Sequence, residues 1–303
     1  MPRRVEACSR WSATIALSCA VLLILGCRGK PAFEPLDHPR LNSGVTMVDV
    51  NLHSAALERD VVYRVILPKA IAQDTKLPVV YLLHGGGGGY RDWSNDSDVA
   101  QYAAGGLILV MPEGASSYWV NSATKPKDRY EDFLVQELIP DVQRRFPAIA
   151  DRSGRAVVGV SMGGYGAVKL ALTHPDLFVF AGAISAALDV PSRPFSIHRI
   201  GQWERFRSIF GPIGSASERA GDPYLLEKTA DPAQTPYLYL GAGEQEALLG
   251  ANRKFASDLA KRGFRYEFHT APGGHDWNQW NAQIPGLFRS LAQHVPAAVN
   301  PRK

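Results

Sequence analysis

The chain has 303 residues, 46% of them hydrophobic and 20% charged, which is the profile of a globular protein with a sizeable core. Its formal net charge is +4, and falls to +2 once Arg3, Arg4, Arg10 and Glu6 are set aside with a removable leader. That is too little to attract nucleic acid. All three cysteines, Cys8, Cys19 and Cys27, lie in the first 27 residues, so the folded part has no disulfide framework and no cysteine metal site.

The start of the chain reads as an export signal. A basic stretch (Arg3, Arg4, Arg10) precedes an apolar run from Ile15 to Leu25. That run is too short for a spanning helix, which needs about 20 apolar residues, and suits a signal-peptide core. Leu23-Ile24-Leu25-Gly26-Cys27 resembles a bacterial lipoprotein box, so residues 1–26 are expected to be cleaved and Cys27 to carry lipid. This implies an exported protein held on a membrane through Cys27 and facing the periplasm or cell exterior. Simple secretion or an uncleaved anchor are the alternatives. Residues 27–44, rich in Pro, Arg and Gly, read as a tether. The domain is expected over 45–295, with a tail at 296–303.

From Val45 onward, short apolar runs alternate with helical patterns. Strands are expected at Val61–Leu67, Val79–Leu83, Leu107–Met111, Ala156–Val160, Ala181–Ser185, Tyr237–Gly241 and Tyr266–Thr270. Helices are expected at Tyr130–Phe146, Met162–His174, Leu248–Arg262 and Gln279–His294, the second ending where Pro175 disfavours helical backbone before it. The alternation predicts an α/β fold, with a mainly parallel sheet covered by helices on both faces. Residues 186–235 break the pattern and are too long for a structureless connection, so an insertion, as a lid or a solvent-facing excursion, is expected there.

Gly159-Val160-Ser161-Met162-Gly163 stands directly after a β-branched run and directly before a helix. A nucleophilic serine needs that sharp strand-to-helix turn, and small residues two before and two after relieve its crowding. The helix start offers free N–H groups to a developing negative charge. A serine hydroxyl needs a histidine base oriented by a carboxylate, and in this fold the chain order is serine, acid, histidine. Of the histidines after Ser161, His174 ends the helix, His269 lies in a strand pattern and His294 sits on the last helix, leaving His198 and His275. His275 follows Gly273-Gly274 beyond the last strand, where a loop can reach the serine, and is preferred. The acid is expected in Gly243-Glu244-Gln245-Glu246, with Glu246 ahead of Glu244. Asp276 is too close in sequence to bend back onto the imidazole. Oxyanion donors are expected at the Met162 N–H and in the glycine turn at Gly86, while His84 is read as structural. The aromatic residues Trp93, Tyr118, Trp119, Trp203 and Trp277 are candidates for a pocket but more often belong to a core.

Four segments then carry a resemblance: Tyr81-Leu82-Leu83-His84-Gly85 with Trp93, Glu137-Leu138-Ile139-Pro140, Gly159 to Ala167, and Gly274-His275-Asp276-Trp277. Over Val45 to His294 the chain resembles the esterase D family of α/β-hydrolases, which includes S-formylglutathione hydrolases, feruloyl and acetylxylan esterases and the antigen 85 mycolyltransferases. The resemblance implies an α/β-hydrolase fold, with Ser161 as nucleophile, His275 as base and Gly86 and Met162 as oxyanion donors. It supports Glu246 as the acid, although relatives more often carry aspartate there. It implies a serine carboxylesterase that works through an acyl-serine intermediate with no metal or organic cofactor, acting on a small-molecule or polysaccharide-linked ester. Acyl transfer of the antigen 85 type, or ligand binding without catalysis by an anchored lipoprotein, are the rival readings.

Overall fold

The computed structural model describes residues 36–299; the expected signal peptide, Cys27 and the last four residues lie outside the described residues. Eight strands form one sheet in the order β1-β2-β4-β3-β5-β6-β7-β8: β1 (Val45–Ser54), β2 (Arg59–Pro68), β3 (Val79–Leu83), β4 (Ile108–Pro112), β5 (Arg155–Val160), β6 (Phe180–Ile184), β7 (Tyr237–Gly243) and β8 (Tyr266–Ala271). β1 and β2 are antiparallel additions and the other six strands run parallel, in registers such as Leu83 opposite Gly159 and Val160 opposite Ile184. The fold is that of the α/β-hydrolases.

Every residue of β3, β4, β5 and β6 is buried, because helices cover both faces of the sheet. Alternate side chains of one strand feed two separate cores. Tyr81 and Leu83 join the core that holds Tyr165, Val168 and Phe255, whereas Val80 and Leu82 join the core that holds Trp93, Ile284 and Leu287. The first core is supplied by α5 (Met162–Thr173) and α9 (Leu249–Arg262), together with a continuous helix made of α3 (Tyr130–Asp132), a π-wound stretch (Phe133–Leu138) and α4 (Ile139–Arg145). The second is supplied by α1 (Asp92–Asp96), α2 (Ala100–Ala104) and α10 (Trp277–Leu291). The chain leaves β3 for β4 on one side and crosses back to β5 on the other. The crevice at the carboxyl ends of β3 and β5 is therefore the switch point at which such sheets bind ligands.

Two features, the start of the packed chain and its tail, differ from the expectation, and the insertion takes a definite form. The packed chain begins at Asp37, not near Val45. The Asp37 carboxylate takes two hydrogen bonds from Arg64, at 2.9 and 2.7 Å, and the Arg40 N–H reaches the Ser94 carbonyl. Part of the expected tether is thus fixed to the domain by a buried guanidinium that also binds Asp49 and Ser94. The expected tail pairs with the domain at Val299, opposite Lys76. Residues 186–235 form three short helices, α6 (Ile200–Phe210), α7 (Ala216–Gly221) and α8 (Pro223–Thr229), and Phe206 and Phe210 of α6 pack edge-on against Tyr118.

Candidate active site

The turn between β5 and α5 forces Ser161 to φ 55° and ψ −114°, a conformation costly for a residue with a side chain. Close packing explains why its neighbours are glycines. A Cβ on Gly159 would lie 2.2 Å from the Gly163 backbone, and one on Gly163 would lie 2.1 Å from the Leu83 carbonyl oxygen. The strained backbone is held by the Ser161 N–H bonding to Ile184 and by its carbonyl accepting from Tyr165 and Ala187.

Ser161, His275 and Glu246 form one hydrogen-bonded chain. Glu246 Oε2 lies 2.7 Å from His275 Nδ1, and a carboxylate can only accept, so the proton sits on Nδ1. Nε2 is left as an acceptor 2.8 Å from the Ser161 hydroxyl. The second oxygen of Glu246 takes the Gly243 N–H at 2.9 Å, and the side chain has no exposed surface although His275 keeps 38% of its own. The structure separates the two glutamates: Glu244 is exposed and accepts from Thr270 instead.

The loops carrying Glu246 and His275 are zipped together beyond the ends of β7 and β8. The Glu244 N–H bonds to Ala271, the Gln245 N–H to Gly273 at 3.0 Å, and the Gly273 N–H back to Gln245 Oε1. The Trp280 ring stands edge-on to His275 at 5.2 Å, and its indole N–H is fixed on Ser185, itself at φ 54°. Neither Gln245 nor Trp280 has a chemical signature in the sequence. The β7–β8 pairing brings the two loops together without marking either residue.

Gly86 lies across from the Ser161 turn: a Cβ on it would be 3.9 Å from that of Met162. Among the described residues, neither the Gly86 nor the Met162 N–H has a protein acceptor. The glycine turn is held from below. His84 Nδ1–H donates to the Gly85 carbonyl at 2.7 Å while Nε2 accepts the Gly114 N–H, so this buried histidine is a structural brace. Asp92 accepts the Gly89 N–H, and burial raises its carboxyl above the usual range. The Trp93 indole donates to the last carbonyl of β3.

The remaining candidates are placed elsewhere. His198 lines a cavity of about 440 Å³ in the insertion with Trp203 and Phe206. His174 bonds Glu131, His269 bonds Glu267, and His294 caps its own helix at Ser290. Asp276 accepts the Gln279 N–H as the N-cap of α10. Of the five aromatic residues, Trp93, Tyr118 and Trp119 are buried in the cores, while Trp203 and Trp277 are half-buried. Among the described residues no group of three or more His, Cys, Asp or Glu could hold a metal ion.

The fold and the similarities to known proteins define a serine hydrolase that acts on carboxylic ester bonds. Residues 54–291 match the model of the "Putative esterase" family, and the chain belongs to that family. An acetyl esterase from Caldicellulosiruptor saccharolyticus is 26% identical over 271 residues, 82% of this chain and 99% of that relative. The diacylglycerol acyltransferase/mycolyltransferase Ag85B of Mycobacterium avium is 29% identical over 248 residues, 71% of this chain and 74% of that one. Among solved structures, the fluorophosphonate-binding serine hydrolase F of Staphylococcus aureus superposes with a TM-score of 0.71 at 27% identity, covering 83% of this chain and 99% of its own.

Proposed function

We propose that the protein is a carboxylesterase in which Ser161, His275 and Glu246 form the catalytic triad. The observation that carries this reading is the unbroken hydrogen-bonded chain from buried Glu246 through His275 to Ser161 on its strained turn. In the first step Ser161 Oγ bonds to the ester carbonyl carbon as its proton passes to His275 Nε2. The resulting oxyanion is met by the Gly86 and Met162 N–H groups. Expulsion of the alcohol breaks the ester C–O bond, and the alkoxide takes the proton from Nε2, leaving acyl-Ser161. Water then attacks in the same way, giving Nε2 a proton that returns to Ser161 as the acid departs. Glu246 keeps the imidazole proton on Nδ1 throughout.

Similarity to the acetyl esterase supports a small-molecule ester as substrate. Similarity to the mycolyltransferase supports a second reading, in which an acceptor hydroxyl replaces water in the second step. We read residues 1–26 as a signal peptide and Cys27 as a lipid attachment point, with the esterase domain following the tether. Ser161→Ala assayed on p-nitrophenyl esters of rising chain length, with feruloyl and acetylated-xylan substrates beside them, tests the main reading. Loss of all but a trace of hydrolysis is expected, and retained turnover would overturn it. Acylated acceptor exceeding free acid in the same assay would favour transfer.

A further inference from the structure

Ser185 is the first residue past β6 and is fully buried, yet it stands at φ 54°, in the left-handed region where a residue with a side chain is strained. Glycine would take this backbone at no steric cost. The Ser185 N–H holds the conformation by donating to the Gly241 carbonyl at 2.7 Å, which ties the end of β6 to β7. What serine adds over glycine is a hydroxyl, and both of that hydroxyl's bonds go to α10. It accepts the Trp280 indole N–H at 3.0 Å and donates to Gln279 Oε1 at 3.4 Å.

Both partners touch the segment that carries His275. The Trp280 ring stands perpendicular to the imidazole with 5.2 Å between centroids, and a Cβ on Gly273 would come within 2.9 Å of the Gln279 side chain. Trp280 also meets Trp277 at 5.0 Å, and Trp277 meets Trp93 at 5.4 Å, both near right angles. The Trp93 indole N–H donates to the Leu83 carbonyl at 3.1 Å. A row of three indoles thus runs from His275 to the strand end that leads into the glycine turn. Each end of the row is pinned to the sheet by one N–H, at Ser185 after β6 and at Leu83 in β3.

We propose that Ser185 is a positioning residue for His275, acting through the Trp280 ring. The inference rests on reading Ser161, His275 and Glu246 as the triad. His275 is bonded only through its two ring nitrogens, to Glu246 and to Ser161, and keeps 38% of its side-chain surface exposed. Two such bonds leave the imidazole free to tilt about the line joining its nitrogens. Trp280, at right angles to it, blocks that tilt, and the Ser185 hydroxyl sets where Trp280 stands. A misplacement of about 1 Å near reacting groups can cost 10²-fold in rate.

Ser185→Gly tests this, because it relaxes the backbone while deleting the hydroxyl. The variant should fold with an unfolding midpoint near that of wild type. Its kcat on p-nitrophenyl acetate should fall about 10- to 100-fold while KM moves less than about twofold. The NMR resonance of the His275 Nδ1 proton should move upfield as the bond to Glu246 loosens, a change that a purely structural role would not produce in folded protein. In a Trp280→Phe background Ser185→Gly should cost little more, since no N–H remains for the hydroxyl to hold. If Ser185→Gly fails to fold, Trp280→Phe alone should show the kcat loss and the shifted resonance. A folded Ser185→Gly with wild-type kcat and an unmoved resonance would overturn the inference, as would an undiminished loss in the Trp280→Phe background. Hydrolysis retained by Ser161→Ala would bring down the triad reading and this inference with it, whereas an inactive Ser161→Ala beside a fully active Ser185→Gly removes this inference alone.

Discussion

Replacing Glu246 by glutamine changes almost no volume, yet it should disable the site through one proton. In the native protein Oε1 accepts the Gly243 N–H at 2.9 Å and Oε2 accepts from His275 Nδ1 at 2.7 Å. A glutamine here has a single oxygen, and the Gly243 N–H claims it. The amide NH2 must then face Nδ1 and donate to it, which moves the imidazole proton to Nε2. Nε2 is the atom 2.8 Å from the Ser161 hydroxyl, and a protonated Nε2 cannot take the serine proton. Enforcing the wrong tautomer in a serine triad costs about 10⁴-fold in kcat. At about 1.36 kcal/mol per decade this is roughly 5 kcal/mol of transition-state stabilisation. The assay is kcat on p-nitrophenyl acetate for wild type, Glu246→Gln and Glu244→Gln, with circular dichroism to confirm folding. Glu244→Gln should stay close to wild type, because that side chain is exposed and bonds only Thr270. A folded Glu246→Gln that keeps more than a tenth of kcat, or a Glu244→Gln that falls as far, refutes the reasoning.

Gly163→Ala drives a Cβ into the carbonyl oxygens of Leu83 and His84, both backbone atoms that cannot step aside, so we expect a loss of about 1–3 kcal/mol in denaturant unfolding and a displaced Ser161. Gln245→Ala frees the histidine loop from the acid loop. Stability should change by less than about 1 kcal/mol, since the site is exposed, while kcat falls roughly 10- to 100-fold from misplacement of His275 and KM moves little. Asp37→Asn weakens the clamp on Arg64 by about 1–2 kcal/mol. Hydrogen bonding to Arg64 holds the Asp37 carboxyl below its ordinary value of 3.8, so its stabilisation is present above that pH and is lost as the pH falls through the lowered value. The gap in unfolding free energy between wild type and variant should accordingly close in acid, and a gap that widens there would contradict the assignment.

The central strands β3 to β6 are legible because each is buried on both faces and so reads as an apolar run; β3 falls at Val79–Leu83 as expected. The edge strand β1 does not read as a strand in the sequence, because half of it faces solvent and its apolar spacing is imperfect. α1 and α2 have five residues each, too few for a helical period to show. Phe133–Leu138 sits inside a helix that was foreseen, but winding that stretch as π leaves no mark in the residue types. At the site, Ser161 could be singled out because the crowding of its turn dictates glycine at fixed offsets. The sequence puts Glu246 ahead of Glu244, but the residue types give no ground for it, since both are glutamates of one loop. What distinguishes them is burial and the Gly243 N–H, properties of the folded loop alone. The anchoring of Asp37 leaves no mark in the sequence for a similar reason: its partner Arg64 lies 27 residues away, inside a strand.

The central claim is that Ser161 forms a covalent acyl intermediate activated by His275. Mass spectrometry of the intact protein after fluorophosphonate treatment, with the modified peptide sequenced, tests it most directly. The account predicts one adduct on Ser161, absent in Ser161→Ala and greatly slowed in His275→Ala. A folded wild type that takes no label, or takes it at another residue, would contradict the account.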